Sequence, residues 1–233
     1  MSEQSKQFWA GVRAEIPLLI GGFPFGLIYG ALALNAGLSK AAAQVMSFTV
    51  FAGSAQFIAA QLVHENTPGF VIVLTIAVVN LRHMLYSASL APYLAALPVL
   101  WKVLLSYLLT DEAYAPTILH YEKEGLTPQA HWFLLGAGGV LWLDWQLGTA
   151  LGIFLGAAIP ESSLLDFALP LTFIAMLVPV LRGRPAIAAA LSAGVVALIA
   201  YSLPYKLGLI VAALVGILVG TLLEGKKQAG GIS

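Results

Sequence analysis

The sequence predicts an all-α protein, a polytopic membrane helical bundle of about eight (7–8) transmembrane helices with a broken first helix. Three observations point there. The 233 residues are 60% hydrophobic and only 9% charged, whereas soluble domains carry roughly 25% charged residues. A mean hydropathy of +0.90 leaves too little polar surface to cover a water-exposed globule. The apolar residues also fall into runs near the roughly 17–25 that a helix needs to cross the hydrocarbon core.

The runs in order are Ile16–Ala36, interrupted by GGFPFG at Gly21–Gly26; Ala41–Val63, carrying FAGSAQF; Phe70–Leu90, broken by NLRH; and Val99–Leu119, containing Asp111 and Glu112. His131–Ile159, Leu164–Leu181, Pro185–Leu203 and Leu207–Leu223 follow. Breaks are well signalled. Gly37 precedes the serine N-cap Ser39, Pro68-Gly69 opens the third run, Pro92 and Pro98 bracket a connector, and EKEGLTPQ (Glu122–Gln129) is the longest charged loop. His131 to Pro160 is 30 residues, about 45 Å as a straight helix against a core of about 30 Å. That segment must tilt, kink near Gly148 or protrude. An offset of 122 residues aligns Gly26 with Gly148, Gly30 with Gly152, Ala36 with Ala158 and Phe51 with Phe173, a faint internal repeat of small residues.

The whole chain reads as one transporter domain, 1–233, with a cytoplasmic N-terminal segment, 1–14, and a flexible C-terminal tail, 224–233. MSEQSKQFWAGVRAE has no apolar h-region, so no cleaved signal peptide is expected. With eight crossings and the N-terminus inside, Lys6, Arg13, Lys123, Arg182, Arg184, Lys226 and Lys227 fall inside, and Lys40, Lys102 and Lys206 outside. The positive-inside rule then places both termini in the cytoplasm.

Four polar motifs interrupt the apolar runs. Arg82 follows Phe70 by 12 positions, roughly 20 Å of rise. An arginine that deep costs about 2.5–3.5 kcal/mol on insertion scales and needs partners, water or a ligand. Asn80 and His83, three apart, share a face with Arg82 rotated away. The plainer account of Arg82 is snorkelling to the interface. In GGFPFG, Pro24, Phe25 and Gly26 suit a discontinuous helix whose freed backbone groups hold a substrate, or an ordinary kink with packing through Gly22, Gly26 and Gly30. Gly53, Ser54 and Gln56 could hold a zwitterion or act as interhelical glue. Asp111 and Glu112, adjacent carboxylates that cannot both ionise cheaply out of water, suit proton coupling or an amine anchor, or simply open a loop capped by Thr110. Asp144 is a third buried-looking acid, with a neighbouring Trp or backbone as its alternative partner.

Much is excluded. Zero net charge argues against nucleic acid, and without cysteine there is neither a disulfide framework nor a thiol nucleophile. No HExxH, GxSxG or GxxxxGK[ST] occurs, so the chain is not expected to be an enzyme, and neither metal nor cofactor is expected.

IPLLIGGFPFGLIYG (Ile16–Gly30), FAGSAQF (Phe51–Phe57), NLRHMLYSASL (Asn80–Leu90) and TDEAYA (Thr110–Ala115) together resemble, in order and spacing, the AzlC family of bacterial branched-chain amino acid exporters. The C-terminal half resembles it in hydropathy and in its long Trp-rich segment. The resemblance implies an inner-membrane permease exporting leucine, isoleucine, valine and methionine. It also implies a small membrane partner subunit of AzlD type, with higher oligomers open. An exporter or channel for another small solute shares the same polar break. A non-transporting scaffold would instead seal its buried charges against one another.

Overall fold

The structure, a computed structural model, describes residues 2–125, 127–156, 181, 183–203 and 207–229. Two compact units divide the chain: Met1–Asn66 with Ile72–Glu161, and Thr67–Val71 with Ser162–Ser233. The described residues are almost all helical, and none is in a strand.

α1 (Glu3–Asn35) starts at Ser2, whose side chain accepts from the Ser5 amide, and ends where Gly37 takes φ +89°. The expected break at Gly21–Gly26 is not there: α1 runs unbroken for 33 residues through Pro17 and Pro24. A proline removes only one ladder bond, and a neighbouring helix can brace the rest. That neighbour is α7 (Ala130–Gly156), packed parallel to α1 along glycines. A Cβ on Gly11 would lie 2.0 Å from Phe133 O, one on Gly30 2.4 Å from Thr149 O, and one on Gly152 2.1 Å from Leu27 O. The contact is self-complementary. Gly26 meets Trp145 and Thr149 while Gly148 meets Phe23 and Leu27, the same positions shifted by 122. Thus the 122-residue offset pairs glycines that touch; Ala158 and Phe173 lie outside the described residues. α1 accompanies α7 from Phe8 beside Gly136 to Ala31 beside Gly156.

The breaks lie in the second and fourth runs. α2 (Lys40–Thr49) and α3 (Gly53–His64) are separated by non-helical Val50–Ala52, and α5 (Val99–Leu108) and α6 (Asp111–Glu124) by extended Leu109 and Thr110. Local chemistry explains the second break: the Thr110 hydroxyl accepts from the Ala113 amide, and Asp111 and Glu112 occupy the positive first turn of α6.

With α7 as a ruler, each pair is a helical hairpin. Lys40 lies over the Phe154 ring, Ser47 Oγ is 3.0 Å from Thr149 Oγ1, and Phe48 packs on Trp142, so α2 runs antiparallel to α7. α3 turns back: Gly53 meets the Trp145 ring, and Phe57 lies against Phe25 and Tyr29 of α1. From the opposite end, Trp101 packs on His131 and Trp132, and Leu108 reaches Gly138. α6 then returns until Tyr121 donates to Ala130 O at 2.8 Å. The tips meet: Tyr107 donates to Phe48 O and its ring lies 6.1 Å from that of Phe51. Arms of 10, 12, 10 and 14 residues rise about 15–21 Å, too little to cross a core of about 30 Å. The second and fourth runs are therefore each two short antiparallel helices, not the one continuous helix the sequence predicts.

α4 (Gly69–Leu94) runs beside α6 in the same direction, Tyr86 stacking on Tyr114 and Tyr93 lying against Tyr121. It is thus antiparallel to α1 and α7. Long helix plus hairpin occurs twice in succession with inverted direction, the hairpins starting at Lys40 and Val99.

In the second unit, α8 (Arg184–Ile199), a 3-10 turn (Ala200–Ser202) and α9 (Leu207–Ala229) form an antiparallel pair, Gly208 meeting Ala200 and Gly216 meeting Ala193. α9 continues to Ala229, so residues 224–229 of the expected tail are helical; residues 230–233 lie outside the described residues. The sixth run also lies outside them, save Leu181. Among the described residues, α1, α4 and Arg184–Ser202 are long and apolar enough to cross a membrane.

Candidate functional site

The hairpin tips meet at the middle of α4. Thr75, Arg82, Tyr86 and Leu90 form its inward stripe, while Leu74, Leu81, Met84 and Leu85 face out. Arg82 rather than Asn80 thus leads the inward face. Arg82 Nη2 donates to Ser54 Oγ at 2.7 Å, and Nη1 donates to Asp111 Oδ2 at 3.2 Å. Ser54 is the second residue of α3 and Asp111 the first of α6, so one guanidinium bridges the N-termini of two half-helices from opposite hairpins. The planar fork of arginine makes both bonds at once, which a lysine cannot. The Arg82 and Asp111 side chains are 25% and 28% exposed, so the pair is not sealed.

The electrostatics of this arrangement favour an anion. Each helix N-terminus contributes roughly half a positive charge, added to an arginine already balanced by Asp111. Ala52 gives α3 no side-chain cap, which leaves first-turn amides for a ligand. In the same stretch of α4, Asn80 Oδ1, Arg82 Nε and His83 Nε2 are buried without a hydrogen bond to described residues. His83 Nδ1 lies 3.2 Å from the carbonyl of Asn80. Gln56 is fully buried, with neither amide atom in a well-formed hydrogen bond.

Supports for the tips come from aromatic residues. Trp142 Nε1 donates to Tyr107 Oη at 2.7 Å, tying the α5–α6 hairpin to α7, and Ser89 and Tyr114 share a 2.9 Å hydrogen bond between α4 and α6. Gly53 admits the Trp145 ring, whose edge would lie 2.8 Å from a Cβ there. A partly open cavity of about 360 Å³ reaches the α5–α6 tip, lined by Leu90, Leu94, Lys102, Leu105, Leu109 and Leu134 among others.

Other sequence candidates stand apart from Arg82. Phe25 packs on Phe57, and Gly26 lies on the α7 backbone beside Trp145 O; Pro24 sits within the same unbroken helix. Asp144 Oδ2 lies beside Gly22, where a Cβ would come within 2.9 Å. Glu112 lies close enough to Glu15 of α1 for their charges to interact. Sequence reasoning missed Glu15, because the first run was begun at Ile16. Its signal was a carboxylate directly beside that run and two positions before Pro17.

The family comparison is decisive. The model of the AzlC protein family matches residues 17–159. The chain belongs to the AzlC family. Relatives within reach include an uncharacterized membrane protein of Archaeoglobus fulgidus, 31% identical over 215 residues that cover 90% of this chain and 92% of that one. The inner membrane protein YgaZ of Escherichia coli is 25% identical, covering 74% of this chain and 73% of its own. The branched-chain amino acid transport protein AzlC of Bacillus subtilis is 29% identical, covering 74% and 68%. No solved structure matches the chain. The AzlC match takes in both hairpins and Arg82, whereas α8 and α9 lie beyond it.

Proposed function

We propose that this AzlC family member exports branched-chain amino acids, leucine, isoleucine and valine with methionine at the edge of its range, across the bacterial inner membrane. It does so coupled to protons and as the large subunit beside a small AzlD-type membrane protein. The observation that carries the proposal is Arg82, held at mid-length of α4 by the N-termini of two opposed half-helices. Half-helix N-termini converging near the bilayer midplane are a recurrent way for transporters to hold a substrate carboxylate.

In this mechanism the substrate carboxylate meets Arg82, Ser54 and the uncapped amides of α3, displacing Asp111. Its ammonium is met by Gln56, Asn80 or the released Asp111, and its aliphatic tail by the leucines of the adjoining cavity. At about 360 Å³, the cavity is within the roughly 300–1,000 Å³ typical of small-molecule sites. His83 and Asn80 line the approach, and Asp111, Glu112 and Asp144 are the carboxylates available for coupling. Pro24, Phe25 and Gly26 support the site by packing.

The hairpin topology strengthens the orientation with the N-terminus inside. Lys102 now joins Lys6, Arg13 and Lys123 on one side of the first unit, leaving Lys40 on the other. The cavity lies on the cytoplasmic side, where cargo is loaded. The scaffold alternative is disfavoured because Arg82 and Asp111 are paired without being sealed.

The test is uptake of labelled leucine into everted vesicles from a host lacking its own exporters. It is run with and without the small subunit and with and without a pH gradient. Saturable uptake competed by isoleucine and valine is expected; no uptake with both subunits present refutes the assignment.

A further inference from the structure

One buried acid has no place in the mechanism so far. Glu15 is 0% exposed, and neither Oε1 nor Oε2 bonds any described residue. It lies in the stretch of α1 held against α7, between Gly11 on Phe133 O and Gly22 beside Asp144. Helical spacing and packing fix the groups around it. From α6 comes Glu112, within electrostatic reach. α7 offers Asp144, turned to Gly22, and on α1 itself Arg13 is two positions away. The Arg82 of α4 is engaged with Asp111 and Ser54. No described cation therefore pairs with Glu15.

A fully buried carboxylate without a partner is costly, and a second carboxylate within electrostatic reach makes two negative charges costlier still. The cheapest state of two such acids has a proton bound to one of them. We propose that Glu15, with Glu112 in electrostatic reach, is the proton-carrying site of the transporter. A proton from one aqueous side forms an O–H bond on this pair and later leaves to the other side. Glu112 follows Asp111 on the first turn of α6, so each arrival or departure changes the charge one residue from the partner of Arg82. Substrate and proton are then linked through the α5–α6 tip. Within the coupling assignments above, Glu15 and Glu112 carry the proton and Asp111 senses it.

This inference rests on the transport reading, and the experiment separates the two. The full chain with its small subunit is reconstituted into proteoliposomes, and labelled leucine is followed in two arms. One is exchange against internal unlabelled leucine at equal pH; the other is accumulation driven by a pH gradient. Glu15→Gln is expected to exchange like the wild type and to lose the gradient-driven component. Retention of gradient-driven accumulation by folded Glu15→Gln overturns the proposal, as does loss of exchange together with it. A wild type that exchanges without responding to the gradient also overturns it, whereas a wild type inactive in both arms overturns the transport reading beneath it. Should Glu15→Gln not fold, infrared difference spectra between acid and neutral pH on Glu15→Asp decide. A carboxylic C=O band displaced from its wild-type position supports the proposal, and an unmoved band refutes it.

Discussion

Gly152→Ala tests the helix pair that supports both hairpins. The Cβ it adds would lie 2.1 Å from Leu27 O and 2.8 Å from Leu27 C, both backbone atoms that no rotamer change can move. Ordinary contact begins near 3.4 Å, so α1 and α7 must part locally by about 1 Å, and overpacking on that scale costs about 1–3 kcal/mol. Against this, replacing a mid-helix glycine by alanine gains about 0.5–1 kcal/mol from backbone entropy. The clash wins, and Gly152→Ala should be less stable than the parent. Gly139 supplies the control: it lies on the same helix with nothing within 4 Å of its Cβ position, so Gly139→Ala should be neutral or stabilising. Thermal unfolding in one detergent reads both. Equal midpoints for the two variants, or a stabilised Gly152→Ala, would refute the close packing of these helices.

The Arg82–Asp111 pair lies between exposed and sealed, so Arg82→Gln should cost about 1–3 kcal/mol, between the values for surface and buried pairs. Arg82→Gln/Asp111→Asn should recover part of that loss; a double variant worse than the single refutes the pairing. Arg82→Lys, lacking the fork, should raise the KM for leucine more than it lowers protein yield, measured in the vesicle assay. The chain has no cysteine, so single cysteines can report topology directly: Leu38→Cys and Glu65→Cys should react from one side of the membrane, Ala96→Cys and Glu124→Cys from the other. Reaction of the first two from opposite sides would restore a full crossing at the second run. Thr110→Ala, which removes the cap of α6, should cost about 1 kcal/mol of stability, and an unchanged unfolding midpoint would count against the capped tip.

The residues that meet at the tips were legible in the sequence because each is costly in an apolar run: Arg82 needed partners, and Ser54 and Asp111 were among the polar groups able to supply them. What was not legible is where the backbone breaks. Pro24 and its glycines carry the strongest local breaking signal, yet α7 braces that stretch into one helix. The real breaks follow weaker cues, the β-branched Thr49 and Val50 before Gly53 and the capping sequence Thr110-Asp111-Glu112. Hydropathy integrates over a window wider than either arm, so it merges two short helices of opposite direction into one apparent crossing. Glu15 was hidden for a related reason. Its burial depends on α6 and α7, which are distant in the chain, and its own neighbours Arg13 and Ala14 look like an aqueous flank.

The two hairpins impose an order on biogenesis. The α2–α3 tip carries non-helical backbone at Val50–Ala52 and the α5–α6 tip at Leu109–Thr110. Exposed to lipid, such groups are prohibitively unfavourable. Neither hairpin can therefore take its final position until α7, the last of the long helices of this unit to leave the ribosome, has joined α1. Until then the nascent chain must keep both tips at the aqueous boundary or shelter them within the insertion machinery, and α7 is the keystone that draws them inward.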